Sequence, residues 1–253
     1  MRAGIGDFLR SRRARLTPEA VGLPAHGPRR TPGLRREEVA GLAGIGLDWY
    51  IRLEQGRAGT PSEATIAALA GALRLDETER RHLHALARGG PRAPFEREQV
   101  PDAIRRIVTD LDRPAYLTGQ RWDLLVCNPA ALRLFTGIAE TPPQDRNLLR
   151  FLLLDPAARE LFGAAWAGQA QYVVAQFRAA HDSWTPDPAF TGLAAQLAEQ
   201  CPEFAGWWDR HDVAPGGIGR KVLHHPGGTS GWDYATFQAS TDPALRLSVY
   251  TPA

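Results

Sequence analysis

The sequence has no run approaching the roughly 18 uninterrupted apolar residues that a membrane-crossing helix needs, which excludes a helical span. Cysteine is scarce: Cys127 and Cys201 stand alone in apolar or mixed surroundings, so no disulfide framework exists and two free thiols in a reducing compartment are expected. The stretch Met1-Arg2-Ala3-Gly4-Ile5-Gly6-Asp7 carries charge where a secretory signal has its apolar run, and the expected location is the cytoplasm. His181, His211, His224 and His225 fall in no C-x-x-C, H-x-x-x-H or H-E-x-x-H spacing, and neither metal nor cofactor is expected. A P-loop and a G-x-G-x-x-G after a strand are both missing, which leaves nucleotide chemistry without a foothold. Gly228-Thr229-Ser230-Gly231 fails the nucleophile-elbow spacing because Trp232 takes the last position, and reads as a turn. These absences disfavour an enzyme. Lysine is nearly missing too, since Lys221 is the one lysine among 30 basic side chains.

What is present is unevenly distributed. Up to Arg97, 17 arginines face 11 Asp and Glu, a balance of +6; beyond it 13 basic residues face 17 acidic ones, a balance of −4. A basic first part suits a polyanion and an acidic second part does not. The proline-rich stretch Pro91-Arg92-Ala93-Pro94 divides the two, giving an expected first domain at 1–90, a linker at 91–98 and a second domain at 99–253.

The first domain reads as five short helices. Ile5, Phe8, Leu9 and Arg12 stand at helical spacing, and a loop with three prolines and three glycines follows from Gly22 to Gly33. The run from Leu34 to Ala43 puts Val39, Leu42 and Ala43 on one face. Gly44-Ile45-Gly46 interrupts it, and Leu47 to Gln55 resumes with Tyr50 and Leu53 inward before Gly56. Ser62 caps a helix through Ile66, Leu69, Ala70 and Leu73, and Asp76-Glu77-Thr78-Glu79 is a capping box for the last. The second domain mixes periods. Helical runs are expected over Gln99–Leu111, after Asn128-Pro129, from Ala157 to Ala179 and from Thr191 to Cys201. Strands are expected within Ala115–Cys127 and over Gly219–His224, Gly231–Ala239 and Ala244–Tyr250. The fold class is therefore α + β, with a small sheet framed by helices.

Two helices joined at a glycine turn form a helix-turn-helix when a small residue lets them approach and apolar residues fix the second at its angle. Ala40 is the small residue, Gly44 the turn, and Val39, Ala43, Ile45, Tyr50 and Leu53 the frame. This leaves Leu47, Asp48, Trp49, Ile51 and Arg52 to face the major groove of a double-stranded DNA operator. Arg52 can bond guanine O6 and N7 together; Asp48 can accept from a cytosine amino group or pair with Arg52 one turn on. Arg29, Arg30, Arg35, Arg36 and Arg57 flank that helix as candidate phosphate contacts. Glu54 is expected beside Arg35 or Arg36 as an internal ion pair.

The run Arg30-Thr31-Pro32-Gly33-Leu34-Arg35-Arg36-Glu37-Glu38-Val39-Ala40, then Leu42-Ala43-Gly44, Tyr50, Arg52-Leu53-Glu54-Gln55-Gly56-Arg57 and Pro61-Ser62, resembles the MmyB-like regulators of the xenobiotic-response-element type. The second domain resembles theirs at Pro114-Ala115-Tyr116, Trp122-Asp123-Leu124-Leu125, Asn128-Pro129, Asn147-Leu148-Leu149-Arg150, Phe204-Ala205 with Trp208, and His225-Pro226. The resemblance implies a five-helix DNA-binding domain and a PAS-like α/β ligand-binding domain, with a fatty acid or other apolar small molecule as effector; a homodimer is the expected assembly. Gly46 stands where that family more often has Ser, and Trp49 and Ile51 replace its usual Tyr and Thr. Phe135, Phe151, Trp166, Phe177, Trp208 and His225 are the expected pocket residues, with Arg150, Arg178 or His225 holding a carboxylate. The alternatives are a second domain that only dimerises and an enzyme with a DNA-binding head.

Overall fold

The computed structural model describes residues 3–24, 33–89, 93–240 and 242–253. The chain divides into two compact units, Met1–Arg92 and Ala93–Ala253. No described helix is long and apolar enough to cross a membrane.

Among the described residues the first unit holds five α-helices: α1 (Ala3–Arg15), α2 (Arg36–Ala43), α3 (Leu47–Glu54), α4 (Glu63–Ala72) and α5 (Glu77–Arg88). Phe8, Leu9, Val39, Tyr50, Leu53, Ile66, Leu69 and Leu83 are wholly buried between them, each contributing about 1.5–3 kcal/mol by leaving water. The local signals act as their chemistry requires. Ser62 Oγ accepts from Thr65 N–H at 3.2 Å, and Asp76 and Glu79 bond reciprocally across the first turn of α5. One apolar assignment changes: Leu42 is exposed, and α2 buries Val39, Ala40 and Ala43 instead. The small Ala40 turns inward because the neighbouring helices approach α2 on that side.

The second unit is built on a five-stranded antiparallel sheet of order β2-β1-β5-β4-β3. Its strands are β1 (Ala115–Thr118), β2 (Leu124–Cys127), β3 (Ile218–His225), β4 (Gly228–Gln238) and β5 (Arg246–Pro252). The helices between β2 and β3, in an otherwise antiparallel sheet, make it PAS-like. Before the sheet comes α6 (Asp102–Asp110); between β2 and β3 lie α7 (Pro129–Leu134), α8 (Leu148–Leu154), α9 (Pro156–Phe162), α10 (Trp166–Trp184), α11 (Pro188–Gln200) and α12 (Pro202–Trp208). The main core joins one face of the sheet to α7–α12, through Tyr116, Phe135, Leu149, Phe177, Phe204 and Tyr250 among others. A smaller cluster of Val108, Ala115, Leu117, Val126 and Leu245 holds α6.

Two expectations about helices shift. The helical run from Ala157 to Ala179 is broken at Gly163, whose φ of +50° ends α9. Leu148–Leu154 is an additional helix, capped by Asn147. Residues 95–98 are anchored to the second unit: Phe95 N–H donates to Asp187, Glu98 accepts from Gln120 N–H, and Arg97 reaches the Gln144 carbonyl.

Candidate nucleic-acid interface and ligand clefts

The turn between α2 and α3 is closed by the backbone itself. Gly44 takes φ +63°, Ile45 N–H donates to Ala40 O at 3.0 Å, and Gly44 N–H donates to Gly41 O at 3.2 Å. This 6→1 and 5→2 pair ends α2 in two residues and sends α3 off at an angle. Gly46 opens α3 in an extended conformation, with no side chain bonding its free N–H groups.

The inward face of α3 carries Tyr50, Leu53 and Glu54, all buried. Glu54 is the hub. Its Oε1 accepts from Arg13 Nε at 2.6 Å and its Oε2 from Arg36 Nε at 2.7 Å. Arg13 also donates to the Leu34 carbonyl at 2.7 Å. Burial pushes the Glu54 carboxyl up, but hydrogen bonds from Arg13 and Arg36 outweigh it and hold the group below its ordinary value. Burial and the neighbouring Glu54 raise the Tyr50 phenol well above its usual range. One carboxylate thereby ties α1, α2 and α3 together. The fit is close: a Cβ on Gly6 of α1 would come 2.2 Å from the Glu54 carbonyl oxygen.

The opposite face of α3 is outward. Leu47, Asp48 and Arg52 are exposed, and Trp49 and Ile51 are half-buried. The Arg52 guanidinium lies 5.5 Å from the centre of the Trp49 ring, a cation–π contact that limits its rotamers. Arg35 and Arg57 are exposed. Arg36 is about half exposed, with one nitrogen engaged by Glu54. Arg29 and Arg30 lie outside the described residues. The expected Glu54 partner on α2 is thus Arg36, while Arg13, 41 positions earlier, has no sequence signal at all.

Two clefts among the described residues of the second unit each take one of the expected pocket residues. Phe135, Trp166 and Phe177 are core, with Trp166 Nε1 donating to the Leu152 carbonyl. Trp208 packs on Phe177 and Phe204. Arg178 is consumed by Asp182, the Trp208 carbonyl and His211. His225 lines a cleft of about 390 Å³ with Arg113, Arg133, Leu134, Ser230 and Trp232. Phe151 lines a separate one of about 310 Å³ with Ile138, Arg146, Arg150 and Leu154. Arg113 and Arg146 lack a periodic signal because loops bring them to the clefts, and Arg133 comes from the last turn of α7.

Several residues that carry the family resemblance are internal fasteners. Asn128, fully buried, accepts from Ala115 and Ala131 N–H and donates to the Leu111 and Arg113 carbonyls, joining α6, β1 and α7. Asn147 links the Arg121 carbonyl and Asp123 to the start of α8. Asp123 is held by Arg121 at 2.8 and 2.9 Å. Among the described residues no cluster of three or more His, Cys, Asp or Glu side chains is placed to hold a metal.

Comparison with known proteins matches both units. The MmyB-like transcription regulator ligand binding domain matches residues 100–253, and a helix-turn-helix domain matches residues 5–83. No curated protein matches the chain.

Proposed function

The chain belongs to the MmyB-like transcription regulators, and from that premise we propose that α3 reads an operator while the second unit binds a small amphipathic effector, such as a fatty acid, that shifts operator affinity. The observation that carries the DNA-binding role is the division of α3. One face is locked to α1 and α2 through Glu54, Tyr50 and Leu53, and the other presents Leu47, Asp48, Trp49, Ile51 and Arg52 outward. A helix held by a buried ion network and bare on its far side suits entry into a major groove. Asp48 and Arg52 share no ion pair, and Arg52 stacks over Trp49 instead, which leaves its guanidinium edge for a guanine. Arg35, Arg36 and Arg57, together with Arg29 and Arg30, supply phosphate contacts that set affinity without reading sequence.

Effector binding is supported by the ligand-binding family of the second unit. An apolar chain gains about 0.8 kcal/mol for each methylene removed from water. The effector acts on DNA binding only through a difference in affinity for two conformations.

Selection of bound sequences from a random DNA pool, repeated with Arg52→Ala, tests the first role. The expected outcome is one enriched motif for the wild type and relaxed preference at one or two base pairs for the variant, a loss of about 1–3 kcal/mol of discrimination at each. Unchanged preference removes Arg52 from base reading. Native mass spectrometry of freshly purified protein, followed by operator titration across a panel of fatty acids, tests the second role. No adduct and no change in operator affinity would leave the second unit with dimerisation alone.

A homodimer is favoured by one observation in the second unit. Ile218 is 83% exposed and Phe237 58%, one register step apart on adjacent strands β3 and β4, with the exposed Arg220–Asp233 ion pair next to them on the same face. A second copy covering this strip would bury it, and Phe237→Arg should then lower the mass measured by light scattering from dimer to monomer.

A further inference from the structure

Lys221 sits on the edge strand β3, half-buried, paired in register with Trp232 of β4. Its ammonium group is caged by aromatic rings. Nζ lies 4.8 Å from the ring centre of Tyr234, 5.5 Å from that of Tyr250 and 5.6 Å from that of Phe162. It donates to Tyr250 Oη at 3.1 Å, which in turn lies 3.0 Å from Tyr116 Oη. Desolvation pulls the amine down to about 8, and no carboxylate acts to offset it.

Several of the chain's buried or part-buried arginines meet a carboxylate, while Arg146 and Arg150 are bonded by carbonyl oxygens. Arg12 pairs with Glu79, Arg13 with Glu54, Arg121 with Asp123 and Arg178 with Asp182. That is the ordinary solution, because a buried charge without a partner costs several kcal/mol. Lys221 has only hydroxyl and ring partners. A cation left without its counter-ion, in a domain of a ligand-binding family, marks a place where the ligand supplies the missing charge.

Resting on the effector reading above, we propose that Lys221 anchors the effector by its carboxylate, with Tyr234, Tyr250 and Phe162 in contact with the first carbons of its chain. One ammonium and one phenol match a singly charged head better than a phosphate dianion, which calls for more donors. Arg113 and Arg133, at the larger cleft, are exposed, where a solvated ion pair contributes little.

The test uses the full-length protein with dodecanoic acid and 1-dodecanol, both below their aggregation limits, in equilibrium dialysis. The acid is expected to bind at least about tenfold more tightly than the alcohol, the lower range of a charge-assisted hydrogen bond. Lys221→Met, whose unbranched side chain fills the same space, should bind the two alike, and Lys221→Arg should keep part of the preference. A measurement on the wild type needs no variant: acetic anhydride labels this single lysine, and dodecanoic acid should slow that labelling several-fold while dodecanol leaves it unchanged. A preference for the acid that survives in Lys221→Met, or labelling indifferent to the acid, overturns the proposal. Binding of acid and alcohol alike by the wild type overturns it while leaving the effector reading intact. Binding of neither overturns both.

Discussion

Two buried side chains carry more of this protein's architecture than their size suggests. Glu54 has a fully buried carboxylate between two arginines. Glu54→Ala leaves Arg13, itself mostly buried, without its counter-ion and should destabilise the first unit by about 3–5 kcal/mol, measured by denaturant unfolding. The sign of the pH effect follows from the lowered carboxyl. Its contribution is fully present above the ordinary carboxyl value of about 4.5 and is lost as pH falls through the lower folded value. The protection of α3 amides against hydrogen exchange, relative to the intrinsic rate at each pH, should therefore fall below about pH 4.5 in the wild type, and Glu54→Gln should flatten that acid dependence. Asn128 is the counterpart in the second unit, with four hydrogen bonds to backbone groups. Asn128→Ala orphans those groups at about 1–3 kcal/mol each where no water reaches, so a total loss above about 3 kcal/mol is expected in thermal unfolding.

At the level of elements, α3 is short and begins without a side-chain cap. Gly46 has φ −63° and ψ 138°, values open to any residue, and a Cβ there meets nothing within 4 Å. Gly46→Ser adds an acceptor for the free N–H groups of the first turn and narrows the unfolded ensemble. It should raise stability by about 0.5–1 kcal/mol, read as a higher midpoint in urea, with the operator motif unchanged. A changed motif would mean that residue 46 itself approaches DNA. At its other end α3 admits no such freedom: Gly6→Ala should be strongly destabilising, because backbone rather than a movable side chain blocks the new methyl.

For the molecule as a whole, the charge division sets the behaviour on DNA. With +6 in the first part, log K for the operator should fall linearly with log salt, by about 0.9 for each phosphate contact. Arg36→Ala should flatten this slope by about one contact and, because Arg36 also bonds Glu54, lower the stability of the first unit. Arg57→Ala, exposed at the turn after α3, should flatten the slope with no loss of stability. Equal slopes for wild type and both variants would remove these two side chains from the phosphate contacts.

Local chemistry made much of this readable in the sequence alone. The Gly44 turn, the Ser62 and Asp76 caps and the Asn128-Pro129 helix start rest on contacts within a few residues, and the inward Tyr50 and Leu53 and the strand segments show in the spacing of apolar residues. Tertiary structure decided what depends on distant partners. Arg13 meets Glu54 across 41 positions, Leu42 turns outward because Ala40 faces the crowded side, and Gly163 divides a periodic helical run at a positive φ. The expected pocket aromatics show the same limit: composition distinguishes wall material from solvent-loving residues, but core filling and cavity lining use identical side chains. Lys221 was visible only as a lone lysine. Its meaning came from three rings and a phenol brought together by β4, β5 and α9, and from the carboxylate that none of them supplies.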